Sequence, residues 1–255
     1  MVPRSARQPR VHEEAAFVLH RHDWSESSLI LDVFSRHHGR VALVAKGAKR
    51  PTSQFRAVLL PLQPVRLAWG GDAEVRTLKS AAWQGGQLMP KGDALLAGYY
   101  LNELLLKMLA RDDPHPLLFD HYAQAVSALA HGAPQAAVLR AFELLLLRET
   151  GHLPALDHDG ASLTPLADGP IYTLKPEQGL MPPSHEQQTA CSGLFWRSLQ
   201  QALEGPEAFS ALCQLCQDDR AGALRRQLRD LLHYHSGVRV FQTRQLLADV
   251  QRLAG

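Results

Sequence analysis

Apolar and polar positions follow a period of two over the first third of the chain, and the period then lengthens. Phe17 to Leu19 is apolar. Leu29, Leu31 and Val33 alternate with Ile30, Asp32 and Phe34. His37, His38 and Gly39 interrupt the run, and Val41 to Ala45 resumes it. Alternation broken by a turn predicts antiparallel strands joined by a hairpin. Val58 to Trp69 continues the pattern with two prolines, Pro61 and Pro64, which put it at a sheet edge or make it irregular. Gly70-Gly71-Asp72 predicts a turn, and Glu74 to Ala82 alternates again. About five strands between residues 15 and 82 suit a small barrel such as an OB-fold.

From Gly92 onward the spacing is helical. Asp93 is a plausible N-cap for a helix over 94–110, apolar on most faces and hence central to its domain. Helices are expected at 117–130 and 135–150, with Gly151 as the residue after the second. Residues 152–184 are rich in proline and glycine and predict a loop-rich insertion with extended pieces at 161–166 and 171–174. Ser184 and Gln187 have capping-box spacing. Helices are expected over 185–204, 206–216, 219–235 and 242–253. The expected class is α+β: an N-terminal barrel over 15–82, then a helical domain over 83–255.

Charge changes this picture. Residues 1–80 hold 13 Lys/Arg against 7 Asp/Glu, residues 81–219 hold 7 against 16, and residues 220–255 hold 7 against 2. Basic ends around an acidic middle suit a polyanionic partner, either nucleic acid or an acidic protein tail. Arg4, Arg7 and Arg10 lie in a leader without an apolar segment, read as a flexible basic arm over 1–14. Lys46-Gly47-Ala48-Lys49-Arg50 carries three cations and no acid, and its glycine lets backbone N–H groups approach a phosphate. No apolar run reaches the roughly 18–20 residues of a membrane span. The cysteines, Cys191, Cys213 and Cys216, are sparse and odd in number, which suits a reducing compartment such as the cytoplasm.

The remaining candidates for chemistry are few. Cys213-x-x-Cys216 stands without a second pair and reads as core thiols. His152, Asp157, His158 and Asp159 crowd one loop, read as solvated rather than metal-binding. There is no G-x-S-x-G, phosphate-binding GK[ST] loop or H-E-x-x-H, so nothing supports an enzyme. Trp24, Trp69, Trp83, Phe17, Phe34 and Phe55 lie among or beside the strands and their cations, where aromatics serve either the core or base stacking; Phe17 and Phe34 read as core. Arg140, Leu144 and Leu147 share one helical stripe. With Lys107 they either border a groove for an acidic, aromatic-ended peptide, or Arg140 lies along its own helix.

Three segments carry a family likeness. AFVLHRHDWSESSLILDVFSRHHGRVALVAKGAKR followed by Ser53, LRAFELLLL with TGHLP, and Gln242-Thr243-Arg244-Gln245-Leu246-Leu247 resemble the start, middle and end of the bacterial RecO family. The resemblance runs from about Ala15 to Leu253. It implies an N-terminal OB-fold, a helical second domain and a non-enzymatic mediator of DNA repair and recombination. It further implies binding to single- and double-stranded DNA, annealing of complementary strands, and loading of RecA together with RecR. The DNA to be loaded is coated by single-strand binding protein, whose acidic tail is a docking partner. Many members carry four zinc-binding cysteines in the insertion; this chain has none there, and no zinc or other cofactor is expected. On this basis Lys46, Lys49, Arg50, Arg36, Arg40 and Arg56 are expected to contact phosphates, with Arg225, Arg226 and Arg229 extending that surface. Arg140, Leu144, Leu147 and Lys107 are the expected tail site. The competing class is a protein-binding adaptor whose basic ends grip acidic partners without DNA.

Overall fold

The structure is a computed structural model, and it describes residues 10–183, 190–217, 220–243 and 245–246. It divides into two compact units, Met1–Met89 with Asn102–Asp120 and Pro90–Leu101 with His121–Gly255.

The first unit is built on five strands: β1 (Arg10–Asp23), β2 (Leu29–Ser35), β3 (Gly39–Ala45), β4 (Pro64–Gly70) and β5 (Val75–Trp83). They close into a barrel in the order β1-β2-β3-β5-β4. All pairings are antiparallel except β3 with β5, and β4 returns to β1 to complete the ring. β1 serves two neighbours because it bends. Its register shifts between Val11 and Glu14 against β4, and between Val18 and His20 against β2. Such irregularities add the twist that closure requires.

Val18, Leu31, Val33, Val41, Leu43, Leu67 and Trp69 fill the core. β2 is buried on both faces. Phe17 and Phe34 each meet Phe119 with ring centroids 5.4 Å apart, so they are core residues, as expected. Gly39 is required where it stands: its φ is +65°, and a Cβ there would lie 2.0 Å from the carbonyl oxygen of Asp113.

Two expectations shift here. The basic arm was expected to reach residue 14, whereas β1 begins at Arg10, paired with Gly70; residues 1–9 lie outside the described part. The strand expected over Val58 to Trp69 begins only at Pro64, whose missing N–H is tolerated at a strand start. The residues before it form a short helix, α1 (Phe55–Val58), and a turn.

The second unit is helical with a small sheet. Helices α2 (Asp93–Met108), α3 (Pro116–Ala130) and α4 (Gln135–Glu149) stand where the spacing expects them, and Gly151 follows α4 at φ +72°. α2 from Asn102 and α3 to Asp120 count with the first unit. The most buried helix is α4, in which Ala137, Val138 and every residue from Arg140 to Leu147 are buried. It packs on α6 (Ala208–Leu215) and α7 (Arg220–Ser236). The insertion contributes β6 (Ile171–Lys175) and β7 (Gly179–Met181), which join β8 (Cys191–Ser192) in the order β7-β6-β8. Of the extended piece expected at 161–166, Ala161 and Ser162 instead form a turn on the Asp159 carboxylate, which accepts from their backbone N–H groups, while Pro165 forms an antiparallel bridge with His158.

The capping box at Ser184 and Gln187 lies outside the described residues. Helix α5 (Gly193–Glu204) starts later than expected and is capped by Ser192, whose hydroxyl accepts from the Phe195 N–H at 3.3 Å. Most of the helix expected over 242–253 also lies outside the described residues.

Candidate nucleic-acid interface

The loop leaving β3 is tied down from within and from the side. The N–H groups of Ala48, Arg50 and Ser53 donate to the carbonyls of Ala45, Gly47 and Arg50, and Gly47 takes φ +71° to allow the turn. From the side, the Lys49 N–H donates to the Ser27 carbonyl at 2.9 Å and the Gly47 N–H to the Ser28 hydroxyl at 3.4 Å. Ala48 is buried beneath. A pinned backbone holds its long side chains outward. Lys46, Arg50 and Arg56 are exposed, and Lys49 is half-buried with its Nζ 3.3 Å from Asp23.

Two concavities flank this loop. One, of about 340 Å³, is lined by Lys46, Arg50 and Lys79 with the hydroxyls of Thr52, Ser53 and Ser80 among its walls, and none of its lining residues is acidic. The other, of about 540 Å³, is lined by Arg21, Lys49 and Arg56 with Asp23. Phe55 lines both. Cations beside hydroxyl donors in an open cavity can receive phosphate oxygens. Lys79 and Arg21 are additions to the expected set. Both lie on barrel strands far from residue 46 in sequence; a lysine directly after the apolar Leu78 in a strand-like run was the available signal.

Two expected phosphate contacts are otherwise engaged. Arg36 makes two parallel bonds to Asp120, Nε to Oδ1 at 3.0 Å and Nη2 to Oδ2 at 2.7 Å, and this carboxylate raises its pKa above the ordinary value. Arg40 is drawn inward: its Nη1 donates to the Leu106 carbonyl at 2.9 Å, its Nε is buried without a partner, and burial lowers its pKa. Arg225, Arg226 and Arg229 are exposed on α7 in the other unit, with Arg229 4.0 Å from Asp230.

The expected tail groove is corrected. Leu144 and Leu147 are fully buried, and Arg140 is 3% exposed. Its Nη2 bonds Glu143, whose Oε1 also accepts from the Tyr100 hydroxyl at 2.8 Å. The stripe faces the core because α4 is covered on its apolar sides, and Arg140 answers a buried acid rather than a surface ligand. Lys107 is exposed and belongs to the first unit.

The cysteines are packed thiols. Burial pushes Cys213 up to about 11 and Cys216 up to about 12. Among the described residues, no group of three His, Cys, Asp or Glu side chains is placed to hold a metal ion. No helix among them is long and apolar enough to cross a membrane.

Comparison with known proteins accounts for both units. The family profile described as Recombination protein O N terminal matches residues 10–86, and Recombination protein O C terminal matches residues 89–238. The chain belongs to the RecO family. It is 60% identical over 246 residues to the DNA repair protein RecO of Polaromonas naphthalenivorans (strain CJ2), covering 96% of this chain and 98% of that protein. It is 58% identical over 253 residues to the protein of the same name from Variovorax paradoxus (strain S110), and 55% identical over 251 residues to that of Delftia acidovorans (strain DSM 14801 / SPH-1), with the same shares covered. The RecO N-terminal match spans all five barrel strands and the cationic loop, so the fold expected from the sequence stands: an α+β protein of DNA repair and recombination, with the barrel first.

Proposed function

We propose that this chain is a non-enzymatic recombination mediator that binds single- and double-stranded DNA through the barrel loop around Lys46 to Arg56. The observation that carries the reading is the acid-free wall of Lys46, Arg50 and Lys79 with its hydroxyl neighbours. Cations in that arrangement displace counterions from phosphates. Held mainly by their backbones, two strands repel one another less while most of their bases stay free to pair, and this is the physical basis of annealing. In this role the chain acts with RecR to load RecA onto DNA coated by single-strand binding protein, whose acidic tail docks on it. Such a role belongs in the bacterial cytoplasm, on the nucleoid.

The test is fluorescence anisotropy with labelled oligonucleotides across a salt series. A linear fall of log K with log salt, of slope about −0.7 per neutralised phosphate on single strands, is expected. Absence of DNA binding at low salt, with binding to acidic peptides retained, would leave the adaptor class in its place.

A further inference from the structure

Four tryptophans show different degrees of commitment to the fold. Trp69 and Trp196 are buried. Trp83 is 55% exposed, but its indole N–H is taken by the Gln63 side chain at 3.2 Å. Trp24 is 66% exposed, at the tip where β1 turns towards β2. A large ring left in water forgoes the burial that a core position would give it.

The tip that carries Trp24 is rigid. The N–H groups of Trp24 and Ser25 donate to the Ser28 carbonyl at 3.2 and 3.4 Å, and the Ser28 N–H returns to the Ser25 hydroxyl at 3.2 Å. The same tip is the side support of the cationic loop, through Lys49 N–H to Ser27, Gly47 N–H to Ser28 and the Lys49–Asp23 ion pair. The backbone that carries the indole and the backbone that carries the cations therefore belong to one hydrogen-bonded cluster. Asp23 is neutralised within it, whereas Glu26 on the tip is exposed and disfavours phosphate there. What the tip can accept is an uncharged flat group.

We propose that Trp24 is a stacking platform for an unpaired base, and that it biases binding at the cationic loop towards single strands over duplex. This rests on the DNA-binding reading above. In a duplex the base faces are already stacked on one another, so only an unpaired base can lie on the indole. The phosphates flanking that base meet Lys46, Lys49 and Arg50.

The experiment compares wild type, Trp24→Ala and Trp24→Phe on three probes: a single-stranded oligothymidine, a blunt duplex, and an abasic single strand with the same number of phosphates. Trp24→Ala is expected to weaken oligothymidine binding about 5- to 150-fold, the range of base–aromatic stacking. Duplex and abasic affinities are expected to stay near wild type, and Trp24→Phe to keep most of the single-strand affinity. Equal losses on all three probes, or none on oligothymidine, would overturn the platform. Unchanged Trp24→Ala binding beside a salt-dependent wild type defeats this inference alone. Absence of wild-type binding to every probe defeats the DNA-binding reading with it.

Discussion

Arg36 and Asp120 are joined by two parallel hydrogen bonds, 3.0 and 2.7 Å long, although 84 positions separate them in sequence. The guanidinium is thereby engaged inside its own unit. Arg36→Ala should leave oligonucleotide affinity and its salt slope near wild type and lower stability by no more than about 1 kcal/mol, because both groups are more than a third exposed. Parallel anisotropy and urea titrations check both halves; a salt slope flattened by the equivalent of about one phosphate would return Arg36 to the interface.

The cationic loop should behave in the opposite way. Replacing Lys46, Lys49 and Arg50 by Ala should weaken binding and flatten the log K against log salt slope by about 0.7 to 0.9 for each phosphate left without its cation. Lys49 is expected to contribute least, since Asp23 already holds it. Adding Lys79→Ala should flatten the slope further. A folded quadruple variant with the wild-type slope would count against the loop.

Arg140 is expected to act on stability. Truncation to Ala leaves Glu143 as a buried charge with no cation, and breaking such a pair costs about 3–5 kcal/mol. Arg140→Glu should be worse, placing two acids in one buried site. Arg140→Met combined with Glu143→Leu and Tyr100→Phe removes these three polar groups together and should recover most of the stability. Denaturant midpoints of the single and combined variants decide between this and a surface role, which would leave the midpoints unchanged.

Acid should destabilise the fold through His20 and His235. His20 is held below its ordinary pKa by desolvation and then by His22, with Arg21 adding and Asp32 opposing. His235 is lowered by desolvation and then by His152, stacked on it at 4.2 Å, with Glu177 opposing. A proton binds each of these rings more tightly in the unfolded chain, so their contribution is present above about pH 6.5 and is lost as pH falls through the lowered folded values. The melting temperature should decline from about pH 7 towards pH 5, and a His20→Gln/His235→Gln variant should decline less. Identical profiles for variant and wild type would exclude these groups.

Alternation, turns and helical spacing are local properties, and they sufficed for the strands around Leu31 and Val41, for α2 to α4, and for a basic loop at Lys46 to Arg50. The resemblance named the family from the same short segments. Pairing is not local. The covering of α4 on its apolar sides decides that Arg140, Leu144 and Leu147 face the core, and a distant Asp120 decides that Arg36 is engaged. Strand β5 returning to β3 and β4 sets Lys79 beside Lys46 and Arg50, and bonds from the Lys49 and Gly47 N–H groups to the Ser27 carbonyl and the Ser28 hydroxyl tie the tip that carries Trp24 to the same loop. The sequence by itself determined most of the strands, the helices α2 to α4 and where positive charge is dense, because side-chain period and charge are written residue by residue. Only the tertiary structure decided which cations remain open to a ligand, because a guanidinium's availability depends on the carboxylates and carbonyls that folding brings within about 3 Å of it.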